Sequence, residues 1–298
     1  MQKRQSVYKQ LTLRFKRLTP WLLLLPALSV IVPLFAGGLA TGLLRSFNYM
    51  PVIGLDTPNL DAYSALLGDE EFLPSLLLTT YIAFTSTIIA SVLALGAVLM
   101  IRRLNSGRAF INFLLQLNLT IPHLVGAVGF VYLFSQSGSF ARLALHAGLI
   151  SGPQDFPAFI YDPAAIGVIL VYVWKELPFI ALILMASLQQ GGEEFEAVAR
   201  TLGASRWQVL RFVVLPTLLP ALLASSMIVL AFTFGAYEIP ALLGAHYPAS
   251  LPVLAYRKFT DVDLASRPEA IAISMIIAIL SLIFVLLYAH ITRRNIEG

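Results

Sequence analysis

Long apolar runs alternate with short charged stretches along this chain. A helix that crosses a bilayer needs about 20 mostly apolar residues. Six runs reach that length: residues 21–44, 74–101, 110–134, 164–188, 210–234 and 270–291. The pattern predicts an all-α membrane protein with six transmembrane helices. The basic stretch before the first run leads into apolar sequence of full spanning length, without a clear small-residue cleavage site. It reads as a retained anchor rather than a cleaved signal. Small residues recur at helix-face spacing, Gly38 with Gly42 and Ser86 with Ala90 and Ala94. Such positions let helix backbones approach closely in lipid, although small residues are also common in membrane helices generally. Pro122, Pro178 and Pro220 fall inside or near the ends of runs and predict kinks, which neighbouring helices can accommodate.

Composition agrees with the pattern. The chain is 58% hydrophobic and 12% charged, against about 45–50% and about 25% for a soluble domain. A soluble globular protein is excluded. The formal net charge of +4 reflects basic residues at span ends, so it reports topology rather than nucleic-acid binding. Lys3, Arg4, Lys9, Arg14, Lys16, Arg17, Arg102, Arg103, Arg108, Arg200, Arg206, Arg211, Arg293 and Arg294 share one side. Arg45, Arg142, Arg257, Lys258 and Arg267 share the other. Fourteen against five predicts both termini in the cytoplasm. The outer loops are then residues 45–73, 135–163 and 235–269, the first carrying Asp56, Asp61, Asp69, Glu70 and Glu71. There is no cysteine, so disulfides, thiolate metal sites and a cysteine nucleophile are excluded.

One polar stretch stands apart from the apolar runs around it: EEFEAVARTLGASRWQVLRFVVLP, residues 193–216. Phe195, Val198, Ala199 and Leu202 fall on one helical face. Glu193, Glu194 and Glu196 crowd the first turn, where the helix dipole favours acids. Gly203 suits a left-handed C-terminal cap, and Ser205 suits an N-cap for a second helix near Trp207. The stretch therefore encodes helix, glycine turn, helix. An amphipathic element of this kind either lies in the lipid interface or docks into a groove on a partner protein.

The stretch resembles the loop motif of permease subunits from binding-protein-dependent ABC importers. That motif reads Glu-Ala-Ala, three residues, Gly, nine residues, Ile, one residue, Leu-Pro. Ala199, Gly203, Val213, Leu215 and Pro216 fall at its spacing. Ala197 occupies the place of the motif's Glu, and the acid stands one residue earlier, at Glu196. The sequence WKELPF at 174–179 is similar to the family's fourth-span pattern. The resemblance covers spans two to six and implies a type I importer permease of MetI-like fold in the bacterial inner membrane. It implies a core domain over 74–291, preceded by the first span and loop over 1–73 and followed by a tail over 292–298. Within it, a coupling loop over 189–209 docks on a separate ATPase, with Glu193, Glu196, Ala199, Gly203, Ala204, Leu215 and Pro216 as its contact residues. The implied partners are two ATPase subunits, a second permease, identical or paralogous, and a periplasmic solute-binding protein. Outer segments 138–150 and 256–270 are candidates for its docking surface. The chain has no G-x-x-x-x-G-K-[ST] phosphate loop. No cofactor is therefore expected on this chain, and ATP with Mg belongs to the partner ATPase.

Ionisable residues within a span are costly and mark candidate function. Lys175 and Glu176, with Trp174, sit near the middle of span four. They either line a solute route or form a structural pair with neighbouring helices. Adjacent residues point about 100° apart on a helix, so both cannot face one narrow stripe. Tyr237 and Glu238 follow span five at the mouth of a possible pathway, and a carboxylate beside an aromatic suits a cation. His123 after Pro122 suits a helix-to-helix hydrogen bond. No group of residues stands at metal-ligand spacing. These features, with the acidic first outer loop, favour a polyamine or similar cation as solute. A sugar, iron, a phosphonate or another organic solute are the alternatives within the class. An ion-coupled secondary transporter and a membrane scaffold are the alternatives outside it.

Overall fold

The computed structural model describes residues 2–104, 106–189 and 193–297, with side chains described over 19–104, 106–189 and 194–290. The side chains of the first basic cluster, Arg293, Arg294 and Glu193 thus lie outside the description, as do residues 190–192 of the coupling loop altogether. The described residues are almost wholly helical, and their only β-features are two isolated bridges, Met50 with Leu55 and Asp162 with Gly244.

Helix α1 spans Gln2–Ser46, α2 Asp61–Gly68 and α3 Phe72–Ile101. Then come α4 at Arg108–Thr120, α5 at His123–Phe134, α6 at Ser139–His146 and α7 at Ile166–Ser187. The polar stretch forms α8, Glu193–Thr201, and the short α9, Arg206–Val209. A wide turn over Leu210–Val214 leads into α10, Leu215–Gly235. Helices α11, Glu238–Leu243, and α12, Leu251–Phe259, precede α13, Arg267–Glu297. Among the described residues, six segments are long and apolar enough to cross a membrane, the number the sequence predicts.

One span differs from the expectation. Residues 110–134 do not form a continuous helix, because the chain breaks between Thr120 and His123. Pro122 has no N–H for the i−4 carbonyl and disfavours α geometry in the residue before it. Ile121 is extended, at φ −78° and ψ 122°. The apolar stretch that qualifies as the third span runs instead over His123–His146, interrupted before α6. At the far end, α13 continues as helix to Glu297, through most of the segment that the resemblance assigned to a tail.

Helix α7 is the hub of the bundle. Val168, Val171, Tyr172, Ile180, Ala181 and Leu184 are fully buried along it. Ala90 and Ala94 of α3 are buried in one cluster with Ile180, Ala181 and Leu184, so the small residues of α3 do provide close packing. Helix packing in lipid rests on van der Waals contact and interhelical hydrogen bonds rather than on the hydrophobic effect. Ser91 of α3 meets Ser226 of α10 at 2.7 Å, the bond such packing allows. Helix α1 packs at the periphery on α13, where a Cβ on Gly42 would stand 3.2 Å from Met275 Cε, while Gly38 faces open space. Leu23, Leu34 and Phe35 of α1 are exposed.

At the end of the bundle opposite α8, an ion network fixes α12. Lys258 Nζ lies 2.6 Å from Asp69 and 2.8 Å from Glu269, and Arg257 lies 3.5 Å from Glu71. The backbone N–H of Leu251, at the start of α12, donates to Thr79 Oγ1 at 2.7 Å, and that of Ala249 to Glu71 Oε1 at 2.9 Å. Burial opposes the charge on Asp69, but hydrogen bonds from Lys258 and from the Glu71 and Phe72 N–H groups hold its carboxyl below the ordinary range. Burial likewise opposes the charge on Lys258, and Asp69 and Glu269 outweigh it, raising the ammonium pKa.

Candidate functional site

Two constructions meet the residues singled out by the sequence. The first is the α8–α9 element. Gly203 sits at φ +83°, the left-handed conformation that a helix-ending turn requires and that side chains with a Cβ resist. Ser205 caps α9: the N–H of Gln208 donates to Ser205 Oγ at 3.3 Å, and the N–H of Ser205 to Gln208 Oε1 at 2.7 Å. Both features match the sequence reading. Pro216, just inside α10, has no N–H to continue the ladder. The chain widens before it, with Leu215 N donating to Leu210 O.

Helix α8 has two faces. Phe195 and Val198 are 62% and 57% exposed, Leu202 just past the helix end is 82% exposed, and Trp207 of α9 is exposed as well. Ala199 and Ala204 are half-buried against the core formed by α3, α7 and α10. Leu215 is half-buried and Pro216 exposed. On the other face, Glu196 forms an ion pair with Arg102 at the end of α3, and a second at 3.4 Å with Arg200 one turn on. Sequence reasoning placed Glu196 as a contact to a partner. The structure directs it inward, with only 16% of its side chain exposed. Arg102 is the residue that sequence reasoning missed. A basic pair at the close of an apolar span was the available signal, but its partner is 94 residues away.

The second construction is the break before Pro122. Ending α4 at Thr120 frees carbonyls that no N–H of the helix reaches. Lys175, 2% exposed, supplies the donors: its Nζ lies 2.8 Å from Asn118 O, 3.2 Å from Asn118 Oδ1 and 2.7 Å from Ile121 O. Asn118 Nδ2 donates back to Trp174 O at 3.1 Å. A cation at a helix C-terminus also complements the helix dipole. Glu176, 7% exposed, turns to the other side of the break and meets His123 Nε2 at 3.0 Å, in the first turn of α5. The roughly 100° between adjacent residues, which forbids a shared stripe, is what lets the pair hold both ends of the broken helix. Trp174 packs over Gly126 of α5, where a Cβ would come within 2.8 Å of its ring. Of the two readings open from sequence, the geometry matches the structural one.

Tyr237, just before α11, and Glu238, its first residue, are exposed. The Tyr237 ring stands 4.9 Å from that of Tyr256, and both border a cavity of about 410 Å³ with Phe259 and Pro252. Glu238 is not among the residues lining that cavity. Among the described residues, no group of three or more His, Asp or Glu is placed to hold a metal ion.

The profile of one family, described as the binding-protein-dependent transport system inner membrane component, matches residues 86–297. The chain is 27% identical over 234 residues to the inner membrane ABC transporter permease protein YnjC of Escherichia coli, covering 77% of this chain and 43% of that protein. It is 26% identical over 250 residues to the molybdenum transport system permease protein ModB of Mycobacterium tuberculosis, covering 80% and 88% of the two chains. This chain thus spans less than half the length of the first relative and most of the second. A bacterial ABC transporter involved in the import of the acidic polysaccharide alginate shares the fold at a TM-score of 0.75 and 23% identity, covering 96% of this chain and 99% of that one.

Proposed function

The chain belongs to the family of inner membrane components of binding-protein-dependent transport systems, and from that premise we propose that it is the permease subunit of a type I ABC importer whose α8 docks on a separate ATPase. The observation that carries the docking reading is the two-faced α8. Its outer face presents Phe195 and Val198 as an exposed apolar surface, and Leu202 just past its end and Trp207 of α9 are exposed as well. Its inner face is tied to the bundle through Glu196 and Arg102. A helix pinned on one side and apolar on the other transmits displacement to α3 when a partner groove grips it. In this reading α8 and both termini face the cytoplasm, and the α6, α11 and α12 end receives solute from a periplasmic binding protein. ATP binding on two ATPase subunits draws the α8 helices of a permease pair together and turns the pathway outward. Hydrolysis returns it inward. This chain supplies the pathway and performs no covalent step.

The proposed solute is a small ammonium-bearing molecule, a polyamine being the simplest. The exposed Glu238 beside Tyr237 supports it. The acids of the first outer loop lend less than their number suggests, because Asp69 and Glu71 are spent on Lys258 and Arg257. The relatives' names do not select a solute.

The test is ATP-driven uptake in vesicles with the co-expressed ATPase and binding protein. Leu202→Asp is expected to abolish uptake and ATPase copurification while leaving the permease in the membrane. Uptake that survives this change, or that proceeds without any ATPase, would end the docking reading. Thermal-shift screening of the binding protein tests the solute, and a response to an uncharged sugar alone would refute the polyamine assignment.

A further inference from the structure

Behind α8, on the side away from its exposed apolar face, lies a cavity of about 790 Å³. Five arginines line it: Arg102 and Arg103 from the end of α3, Arg108 from the start of α4, Arg200 from α8 and Arg206 from α9. Among the described residues, Glu196 is the one acid in the lining, and it is already paired with Arg102 and Arg200. Among the described residues, Arg103 and Arg206 form no ion pair. Arg102 Nε is buried without a hydrogen-bond partner, although its Nη1 is engaged by Glu196.

Topology alone accounts for arginines at this end of the spans. It does not require five of them, from four helices, to converge on one cleft, where like charges repel. A guanidinium is a planar fork of donors that matches phosphate oxygens two at a time. We propose that this cleft binds a phosphate-bearing anion, held chiefly by Arg103 and Arg206. The volume exceeds the needs of a single phosphate and admits the group that carries it. Two sources share this chemistry. One is an anionic phospholipid headgroup, which the exposed Phe110 and Phe113 on the first turns of α4 would accompany with acyl contact. The other is a soluble phosphate compound. The docking face of α8 takes no part in this site.

The experiment uses the full chain in nanodiscs of zwitterionic phosphatidylcholine, with the thermal unfolding midpoint as readout. In one arm inorganic phosphate replaces chloride at constant ionic strength. In the other, part of the lipid is replaced by phosphatidylglycerol. A saturable rise of a few degrees is expected in at least one arm. A response to free phosphate identifies a soluble source, and a response to phosphatidylglycerol alone identifies the headgroup. Arg103→Gln with Arg206→Gln is expected to weaken the response at least tenfold, and Arg206→Gln alone to weaken it partly. Both side chains are exposed, so the unliganded midpoint should not move. Arg211→Gln, in the same stretch but outside the lining, should respond as the wild type does. No rise in either arm, or an undiminished rise in the double variant, would overturn the proposal.

Discussion

Lys175→Met separates a structural from a solute-binding role in the middle of the bundle. The substitution keeps most of the apolar stem and deletes the ammonium. Two acceptors, Ile121 O and Asn118 Oδ1, then lose donors at 2.7 and 3.2 Å, in a site where Lys175 is 2% exposed, while Asn118 O keeps the N–H of Ile121 at 3.2 Å. A buried acceptor left without a partner costs about 1–3 kcal/mol, so the two together amount to about 4 kcal/mol. Relief of the desolvation of the ammonium offsets part of this, leaving about 2–3 kcal/mol. At roughly 2–4 °C per kcal/mol for a chain of this size, the unfolding midpoint in detergent should fall by about 5–10 °C. Tryptophan fluorescence is a suitable probe, because Trp174 packs across the same junction onto Gly126. Glu176→Gln retains hydrogen-bonding capacity toward His123 and should cost less. Uptake in both variants should track the amount of folded protein. A Lys175→Met chain that melts with the wild type but transports nothing would refute the reasoning and return Lys175 to the solute pathway.

Other outcomes follow from the same geometry. Gly203→Val places a β-branched residue at φ +83° with no neighbour for its Cβ to strike, so the cost is backbone strain of about 1–2 kcal/mol confined to the α8–α9 turn. Copurified ATPase should fall while the bundle melts within a few degrees of the wild type, and Gly203→Asn should be milder. A double-mutant cycle of Arg102→Gln and Glu196→Gln, read by thermal unfolding, should give a coupling of about 1–3 kcal/mol, with faster hydrogen exchange in α8 for either single variant. The Asp69–Lys258 contact has a defined pH window. The lowered Asp69 pKa contributes stability that is full above its ordinary 3.8 and is lost as pH falls through the folded value. The raised Lys258 pKa contributes stability that is full below its ordinary 10.5 and is lost as pH rises through the folded value. Protection of α2 and the first outer loop, corrected for intrinsic exchange, should be flat between those limits, and Lys258→Met should reduce it throughout.

The spans and the helix–glycine–helix element were legible because each rests on local pattern: run length, one apolar helical face, a glycine where a turn must be left-handed. What the sequence concealed are long-range matches. Pro122 was visible as a kink, but its effect depends on whether neighbours absorb the lost hydrogen bond or the helix stops. Lys175, more than fifty residues away, settles that by serving the freed carbonyls. Glu196 was readable as an acid in the first turns of a helix, not as the partner of Arg102. The outer helices α2, α6, α11 and α12 are each under ten residues long, too short for periodicity to declare them. They are held by packing and by contacts such as Thr79 with Leu251 and Lys258 with Asp69.

The absence of native cysteine makes the central claim directly measurable. A single cysteine introduced as Val198→Cys on the exposed face of α8 can be tested for cross-linking in membranes containing the co-expressed ATPase. Ser137→Cys at the opposite end of the bundle is the control. The account predicts a covalent adduct with the ATPase from position 198, changing in yield when ATP is bound, and none from position 137. An adduct from both positions, or from neither, would contradict the assignment of α8 as the element through which ATP hydrolysis moves this permease.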